Sequence, residues 1–397
     1  MKYLTVWLTF PDGERLQVGE LAIIGRQNTR QPGSAFRYAQ AYLAHDKAFS
    51  LDPQFLPLSD EEFICDRSPE DIHSVFEDSL PDAWGRRLLA KRHGLAIKTS
   101  ELATLLPYVS GNVIGALSYG EPNEQTPYAT ITDLGALTGA AELFEKGKDI
   151  DKEVQILFGA GSSPGGARPK ALVVDGNEHY LAKFPSIHDR YNMVLLEAAV
   201  MTLAQQAGLD VCNVRVMKLA STPVLLVNRF DITTLGGRNH IVSMKTFVGD
   251  RFHVRYEDMV NIVRQYSDQP EIDLPMLFCQ LCFNVFIGNT DDHIKNFSMM
   301  RSENGWRLTP AYDLLPNVGE NPEHALQFLH TNYPPSQAGL LDIGVRLFGL
   351  SKKKTTNTIS QVRDSMLDWI GVFKSHEVPA SDISRLAKGI NNSLDIR

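Results

Sequence analysis

The chain has 397 residues, with 39 Lys and Arg against 47 Asp and Glu, a net charge of −8, 43% hydrophobic residues and 4 Cys. That length predicts two or three domains or one large two-lobed unit, and the composition excludes a wholly disordered, collagen-like or coiled-coil chain. So few cysteines make no disulfide scaffold and point to a reducing compartment, while the mild acidity argues against nonspecific nucleic-acid binding without excluding a local basic face.

In chain order, Tyr3 to Leu21 reads as two strands around a Pro11-Asp12-Gly13 turn, with Leu4, Val6 and Leu8 alternating along the first. The N-terminal apolar run ends at Phe10, too short for a signal sequence and without a small-residue cleavage site. A helical stretch is predicted around Phe36 to Leu43, a second helix from about Leu80 to His93 with basic residues in its last turn, and a strand over Val113 to Tyr119. Glu121 to Pro127 carries two prolines among polar residues and is the predicted linker between a domain over 1–125 and another over 126–397.

Beyond the linker, Ala171 to Val174 and His179 to Phe184 read as a hairpin turning at Asp175-Gly176-Asn177. Met193 to Ala207 has helical periodicity and stops at Gly208, and Val224 to Phe230 is a further strand. Leu274 to Gly288 is apolar on nearly every face, the mark of a buried helix. Its apolar core, Met276 to Ile287, is interrupted by Gln280 and Asn284 and falls short of the ~20 residues that span a bilayer, so a soluble cytoplasmic chain is expected. Phe297 to Met300 and Trp306 to Leu308 form a hairpin at Asn304-Gly305, and the chain after Leu340 is helical. A hairpin-plus-helix half followed by a helix-rich half predicts an α+β molecule of two lobes with a cleft between them.

The sharpest local string is Gly288-Asn289-Thr290-Asp291-Asp292-His293-Ile294-Lys295-Asn296, set between the buried helix and the hairpin. Asp291 and Asn296 stand in D-x-x-x-x-N spacing, and Asp313 follows 22 residues after Asp291. Phosphoryl transfer uses those groups in that order: a carboxylate accepts the proton of the attacking hydroxyl, and an amide oxygen and a second carboxylate hold Mg²⁺. Alone, such a string is a weak signal and reads as turn residues. Upstream, Gly159 to Lys170 is glycine-rich and basic and leads into a strand, so its backbone can approach phosphates, although it matches neither standard nucleotide fingerprint and alone reads as a flexible loop. Lys183, among Leu181, Ala182 and Phe184, wants an anionic partner, which a phosphate or Glu197 on the next helix would supply. Asn228-Arg229-Phe230-Asp231 falls where a hinge between lobes is expected. Cys279-x-x-Cys282 lies in an apolar helical run and reads as core, and Lys352-Lys353-Lys354 as a solvated face.

Ser163-Pro164-Gly165-Gly166-Ala167-Arg168-Pro169-Lys170, Thr290 to Ser298 and Leu308-Thr309-Pro310-Ala311-Tyr312-Asp313 together resemble the HipA family, the kinase toxins of bacterial toxin–antitoxin pairs. Ser79-Leu80-Pro81-Asp82-Ala83-Trp84-Gly85-Arg86 and Val113-Ile114-Gly115-Ala116-Leu117 resemble that family's N-terminal domain, so the resemblance spans nearly the whole chain. It implies a two-lobed, protein-kinase-like α+β fold with a mixed N-terminal domain and a helix-rich C-terminal lobe. It further implies an ATP- and Mg²⁺-dependent serine/threonine protein kinase that arrests growth by phosphorylating a translation-linked protein, such as an aminoacyl-tRNA synthetase.

By the resemblance, Asp291 is the catalytic aspartate and Asn296 and Asp313 are the metal ligands. ATP is met by Gly165, Gly166, Ala167, Arg168, Pro169, Lys170 and Lys183, by the hinge residues Asn228, Arg229 and Phe230, and by His293, Ile294, Lys295, Asn296, Tyr312 and Asp313. Asn228 departs from the acidic residue usual in the family. Ser163 matches an autophosphorylated serine whose modification ejects its loop and silences the kinase, with Ser162 as a competing acceptor. The implied partner is a HipB-like helix-turn-helix antitoxin, through which alone DNA is met. A small-molecule kinase with the same core, or a catalytically idle partner in a repressor complex, are the alternatives.

Overall fold

The computed structural model describes residues 2–24, 33–65, 67, 71–95, 102–109, 113–120, 128–148, 157, 168–251, 253–319 and 321–396. Contacts divide the chain into two compact units, residues 1–188 with 218–242, and residues 189–217 with 243–397.

The first unit contains a five-stranded sheet of β1 (Lys2–Thr9), β2 (Arg15–Ile23), β3 (Ser34–Tyr38), β4 (Glu62–Cys65) and β5 (Leu117–Tyr119), in the order β4-β3-β2-β1-β5. The expected β1–β2 hairpin is present, with Gly13 at φ +91° and the Asp12 carboxylate accepting from the Glu14 amide. The helix predicted around Phe36 to Leu43 is corrected: Ser34–Tyr38 is strand, and helix is confined to Gln40–Leu43. Backbone pairing with β2 on one side and β4 on the other outweighs the local pattern. Phe36 covers Gly19 of β2, where an added Cβ would lie 2.8 Å from its ring and 2.2 Å from the Arg37 carbonyl. The strand predicted over Val113 to Tyr119 shortens to β5, because Gly115 sits at φ +81° and its N–H goes to the Asp231 carboxylate instead of a ladder. The helix predicted from Leu80 starts at Ala83, where Asp82 caps the Trp84 and Gly85 amides, and ends before Gly94 at φ +63°.

A second sheet contains β6 (Ala129–Thr130), β7 (Lys170–Asp175), β8 (Glu178–Lys183), β9 (Val214–Leu219) and β10 (Thr222–Asn228), ordered β6-β7-β8-β10-β9. A two-residue Gly176-Asn177 turn with Gly176 at φ +59° fixes the β7–β8 register. That register sets Lys170 directly opposite Lys183.

The second unit is built around the helix Pro270–Ile287, with proline in its first turn and Gly288 at φ +71° after its end. At 18 residues and mean hydropathy 1.3 it is long and apolar enough to cross a membrane, yet 67% of it is buried inside the protein. Every residue from Leu277 to Ile287 is buried. Tyr256–Tyr266, Lys352–Ser365 and Ala380–Leu394 pack around it. Cys279 and Cys282 are buried free thiols in this core, Cys279 pushed up to about 12 by burial and Cys282 raised well above its usual range by the same cause. The helix start is fastened to the hairpin Ser298–Arg301/Trp306–Leu308 by Asp273, which accepts from the Arg307 guanidinium at 2.9 Å and from the Leu308 amide at 3.0 Å.

Candidate active site

The loop from Gly288 to Phe297 in the second unit is held at every turn by hydrogen bonds, as a site whose groups must not wander requires. At its entry the Asn289 amide donates to the Asn284 carbonyl at 2.8 Å, and the Asn317 amide to the Gly288 carbonyl at 2.8 Å. His293 Nδ1 accepts from the Lys295 amide at 3.2 Å, and the Asn296 amide donates to the His293 carbonyl at 2.8 Å. The Tyr312 hydroxyl meets Ser298 Oγ at 2.7 Å and donates to the Lys295 carbonyl at 3.1 Å. Asp291, the residue expected to act as base, is exposed at the start of this frame.

The neighbouring Asp292 does the opposite. It is 1% exposed; one carboxylate oxygen accepts from the Ala325 and Leu326 amides, and the other from the Tyr256 hydroxyl at 2.7 Å and His324 Nδ1 at 3.0 Å. Burial and the Asp292 charge raise the Tyr256 hydroxyl well above its usual range, so it stays a donor. Adjacent aspartates are thereby separated, one into the core as an anchor and one to the surface.

Asn296 Nδ2 donates to the Asp291 carbonyl at 2.8 Å, which fixes the amide plane. Asp313 sits at φ +56°, a left-handed conformation that costs a non-glycine residue roughly 1–2 kcal/mol and that surrounding structure must impose. Among the described residues no three His, Cys, Asp or Glu gather into a metal cluster. The Asp313 carboxylate and the Asn296 amide are hard oxygen donors of the kind Mg²⁺ takes together with phosphates and water, and such donors do not suit zinc.

The first unit carries the remaining expected residues. Gly165, Gly166, Ala167 and Ser163 lie outside the described residues. Arg168 is half-buried, and the Pro169 carbonyl accepts from the Phe184 amide at 3.0 Å, continuing the β7–β8 ladder. Lys170 is buried at the start of β7, and Lys183 is half-buried at the end of β8. Glu197 is buried on Met193–Gln206 in the second unit.

At the expected hinge, Asn228 and Phe230 are half-buried at and just past the end of β10. Arg229 between them is turned inward. Its Nε donates to Asp231 Oδ1 at 2.9 Å, and its Nη2 to Asp231 Oδ2 and to the Val113 carbonyl. Burial pulls the Asp231 carboxyl up, but the Arg229 guanidinium more than offsets it and holds Asp231 below the usual carboxylate range. The Arg229 side chain is thus a strut tying β10 to the 113–115 segment, while its backbone N–H donates to the His179 carbonyl.

Sequence reasoning did not assign roles to Asp292, Tyr256 and His324. The doubled aspartate at 291–292 was a usable signal, since two adjacent carboxylates seldom share one environment; nothing in the sequence linked Tyr256 or His324 to it.

The chain is similar to several known proteins. Residues 14–120 match the family model of the HipA N-terminal domain, and residues 162–370, more than half of the chain, match that of the HipA-like C-terminal domain. The putative kinase Y4mE of Sinorhizobium fredii is 26% identical over 339 residues, covering 75% of each chain. The serine/threonine-protein kinase toxin HipA of Shewanella oneidensis is 29% identical over 159 residues, 34% of this chain and 36% of its own. In overall fold the chain is similar to HipA from the S. oneidensis MR-1 complex of HipA, HipB and operator DNA, with a TM-score of 0.70 at 19% identity, over 98% of this chain and 96% of that one.

Proposed function

The chain belongs to the HipA family, and on that premise we propose that it is an ATP- and Mg²⁺-dependent serine/threonine protein kinase, the toxin of a toxin–antitoxin pair. The observation that carries the reading is the Asp291-to-Asn296 loop, braced by Asp292 and Tyr312, with Asp313 held left-handed in the same unit. Asp291 accepts the proton of the substrate hydroxyl as that oxygen attacks the γ-phosphorus. Asn296 and Asp313 hold Mg²⁺, which when bound neutralises charge on the phosphates. Lys170 and Lys183 bind phosphate oxygens, Gly165 to Pro169 cradle them with backbone, and Asn228 to Phe230 meet the adenine, Arg229 through its backbone carbonyl alone. His293, Ile294, Lys295 and Tyr312 frame the nucleotide side of the loop.

The S. oneidensis relative is found with HipB and operator DNA, and this supports a HipB-like antitoxin as partner here. The residue division 1–125 and 126–397 is our reading of the N-terminal and kinase domains. The target is a translation-linked protein, and the chain also modifies itself on Ser163.

The test is labelled ATP with and without cell extract, using wild type and Asp291→Asn. Label on a protein band in the wild-type reaction, lost in the variant while ATP affinity stays within a few-fold, is the expected result. A small labelled product would favour a small-molecule kinase. No transfer by wild type would favour an idle partner in a repressor complex.

A further inference from the structure

Lys170 and Lys183 are directly opposite on β7 and β8, so their side chains leave the same face of the sheet. Like charges so placed repel, and Lys170 is in addition 5% exposed. A buried ammonium needs a counter-charge. Asp82, from the N-terminal Leu80-Pro81-Asp82-Ala83-Trp84 segment, supplies one: its Oδ2 lies 4.0 Å from Lys170 Nζ.

The Asp82 carboxylate is divided between two tasks. Oδ1 accepts from the Trp84 and Gly85 amides at 3.0 and 3.2 Å and caps the helix Ala83–His93. Oδ2 is buried and makes no hydrogen bond among the described residues. Helix capping uses one oxygen and explains the first contact; it does not explain a second, buried anionic oxygen turned toward a lysine. Burial raises the Asp82 carboxyl above its usual range, and the Lys170 charge offsets only part of that.

We propose that Asp82 is a resident counter-ion of the phosphate-binding lysine pair, a positioning residue by which the N-terminal segment weakens nucleotide binding while holding Lys170 in place. The inference rests on the kinase reading, in which phosphate oxygens meet Lys170 and Lys183. An incoming polyphosphate competes with Asp82 for Lys170, and the Asp82 charge opposes it at short range. At 4.0 Å, without a tight hydrogen bond, the pair is open to that exchange.

The test is calorimetric titration of the full chain with ATP and Mg²⁺ at two salt concentrations. Asp82→Asn keeps the capping oxygen and loses the charge, and Asp82→Ser keeps a cap with a different side chain should the first variant fold poorly. Either variant is expected to bind ATP roughly three- to tenfold more tightly than wild type, with a steeper salt dependence. Lys170→Met is expected to weaken binding, and adding Asp82→Asn to it to change nothing further. A folded Asp82 variant with unchanged or weaker affinity, or a gain that persists in the Lys170→Met background, overturns the assignment of Asp82 alone. Wild type that binds no ATP overturns the kinase reading and this inference with it.

Discussion

Asp292 and His324 meet at 3.0 Å with side chains 0% and 1% exposed, and this contact joins the loop of the candidate base to the segment 324–326. Removing the Asp292 carboxylate leaves the buried Tyr256 hydroxyl, the His324 ring and the Ala325 and Leu326 amides without their acceptor, at about 1–3 kcal/mol for each buried group left unpaired. Asp292→Ala is therefore expected to lower the unfolding midpoint sharply and to cut phosphoryl transfer by ~100-fold, on the scale that follows from misplacing a reacting group. Asp292→Asn keeps an acceptor for the Ala325 and Leu326 amides and should fall between Ala and wild type. Thermal unfolding and label transfer measured on the same samples check this; full activity in Asp292→Ala would remove the anchoring role.

Asp313 combines a left-handed backbone with a carboxylate, and the two can be separated. Asn tolerates φ near +60° better than most residues, so Asp313→Asn should stay within about 1 kcal/mol of wild type in stability. It is expected to lose Mg²⁺-dependent ATP binding nonetheless, because Asn296 and a second neutral amide do not replace the charge. Asp313→Ala should lose both. Calorimetry with ATP in Mg²⁺ and in EDTA distinguishes the cases, and an unchanged Mg²⁺-dependent affinity in Asp313→Asn contradicts the metal role.

Ser163 precedes Pro164-Gly165-Gly166, in the stretch expected to meet the phosphates. Phosphate there adds roughly −1.5 to −2 charges and opposes nucleotide binding by repulsion. After incubation with ATP, one major phosphosite is expected at Ser163, with activity falling as it fills. Mass spectrometry that places the phosphate on Ser162, or a fully modified enzyme with undiminished activity, excludes this mechanism.

Asp52 is fully buried; its Oδ1 accepts from the Gln54 and Phe55 amides, and its Oδ2 makes no hydrogen bond among the described residues. Burial pushes its carboxyl up to about 7. Because the folded state holds this proton to higher pH than the unfolded chain, the stability it contributes is full below pH ~4 and drains away as pH rises through about 7. Asp52→Asn removes that loss while keeping the capping oxygen. Its unfolding midpoint is expected to exceed that of wild type by a few degrees at pH 8, with the gap narrowing at pH 5. A gap that is the same at both pH values would show that Asp52 does not titrate in this range.

The sequence by itself determined what is local. The Gly176-Asn177 turn fixed the β7–β8 hairpin and so the Lys170–Lys183 register, Gly208 and Gly288 marked helix ends, and the largely apolar faces of Leu274 to Gly288 marked a buried helix. The spacing from Asp291 to Asn296 and on to Asp313, just past the hairpin that follows the loop, made the candidate kinase residues legible because all three lie close together in the chain. Tertiary structure decided whatever depended on partners distant in the chain. Ser34–Tyr38 became strand because β2 and β4 pair with it, although Phe36 to Leu43 alone suggests helix. The two aspartates at 291 and 292 parted because Tyr256 and His324, 36 and 32 residues away from Asp292, supply donors to only one of them. Arg229 turned inward because Asp231 and the Val113 carbonyl are there to receive it. Hydrogen-bond donors and acceptors brought together by folding leave no periodic trace in the sequence, and so these assignments had to wait for the tertiary fold.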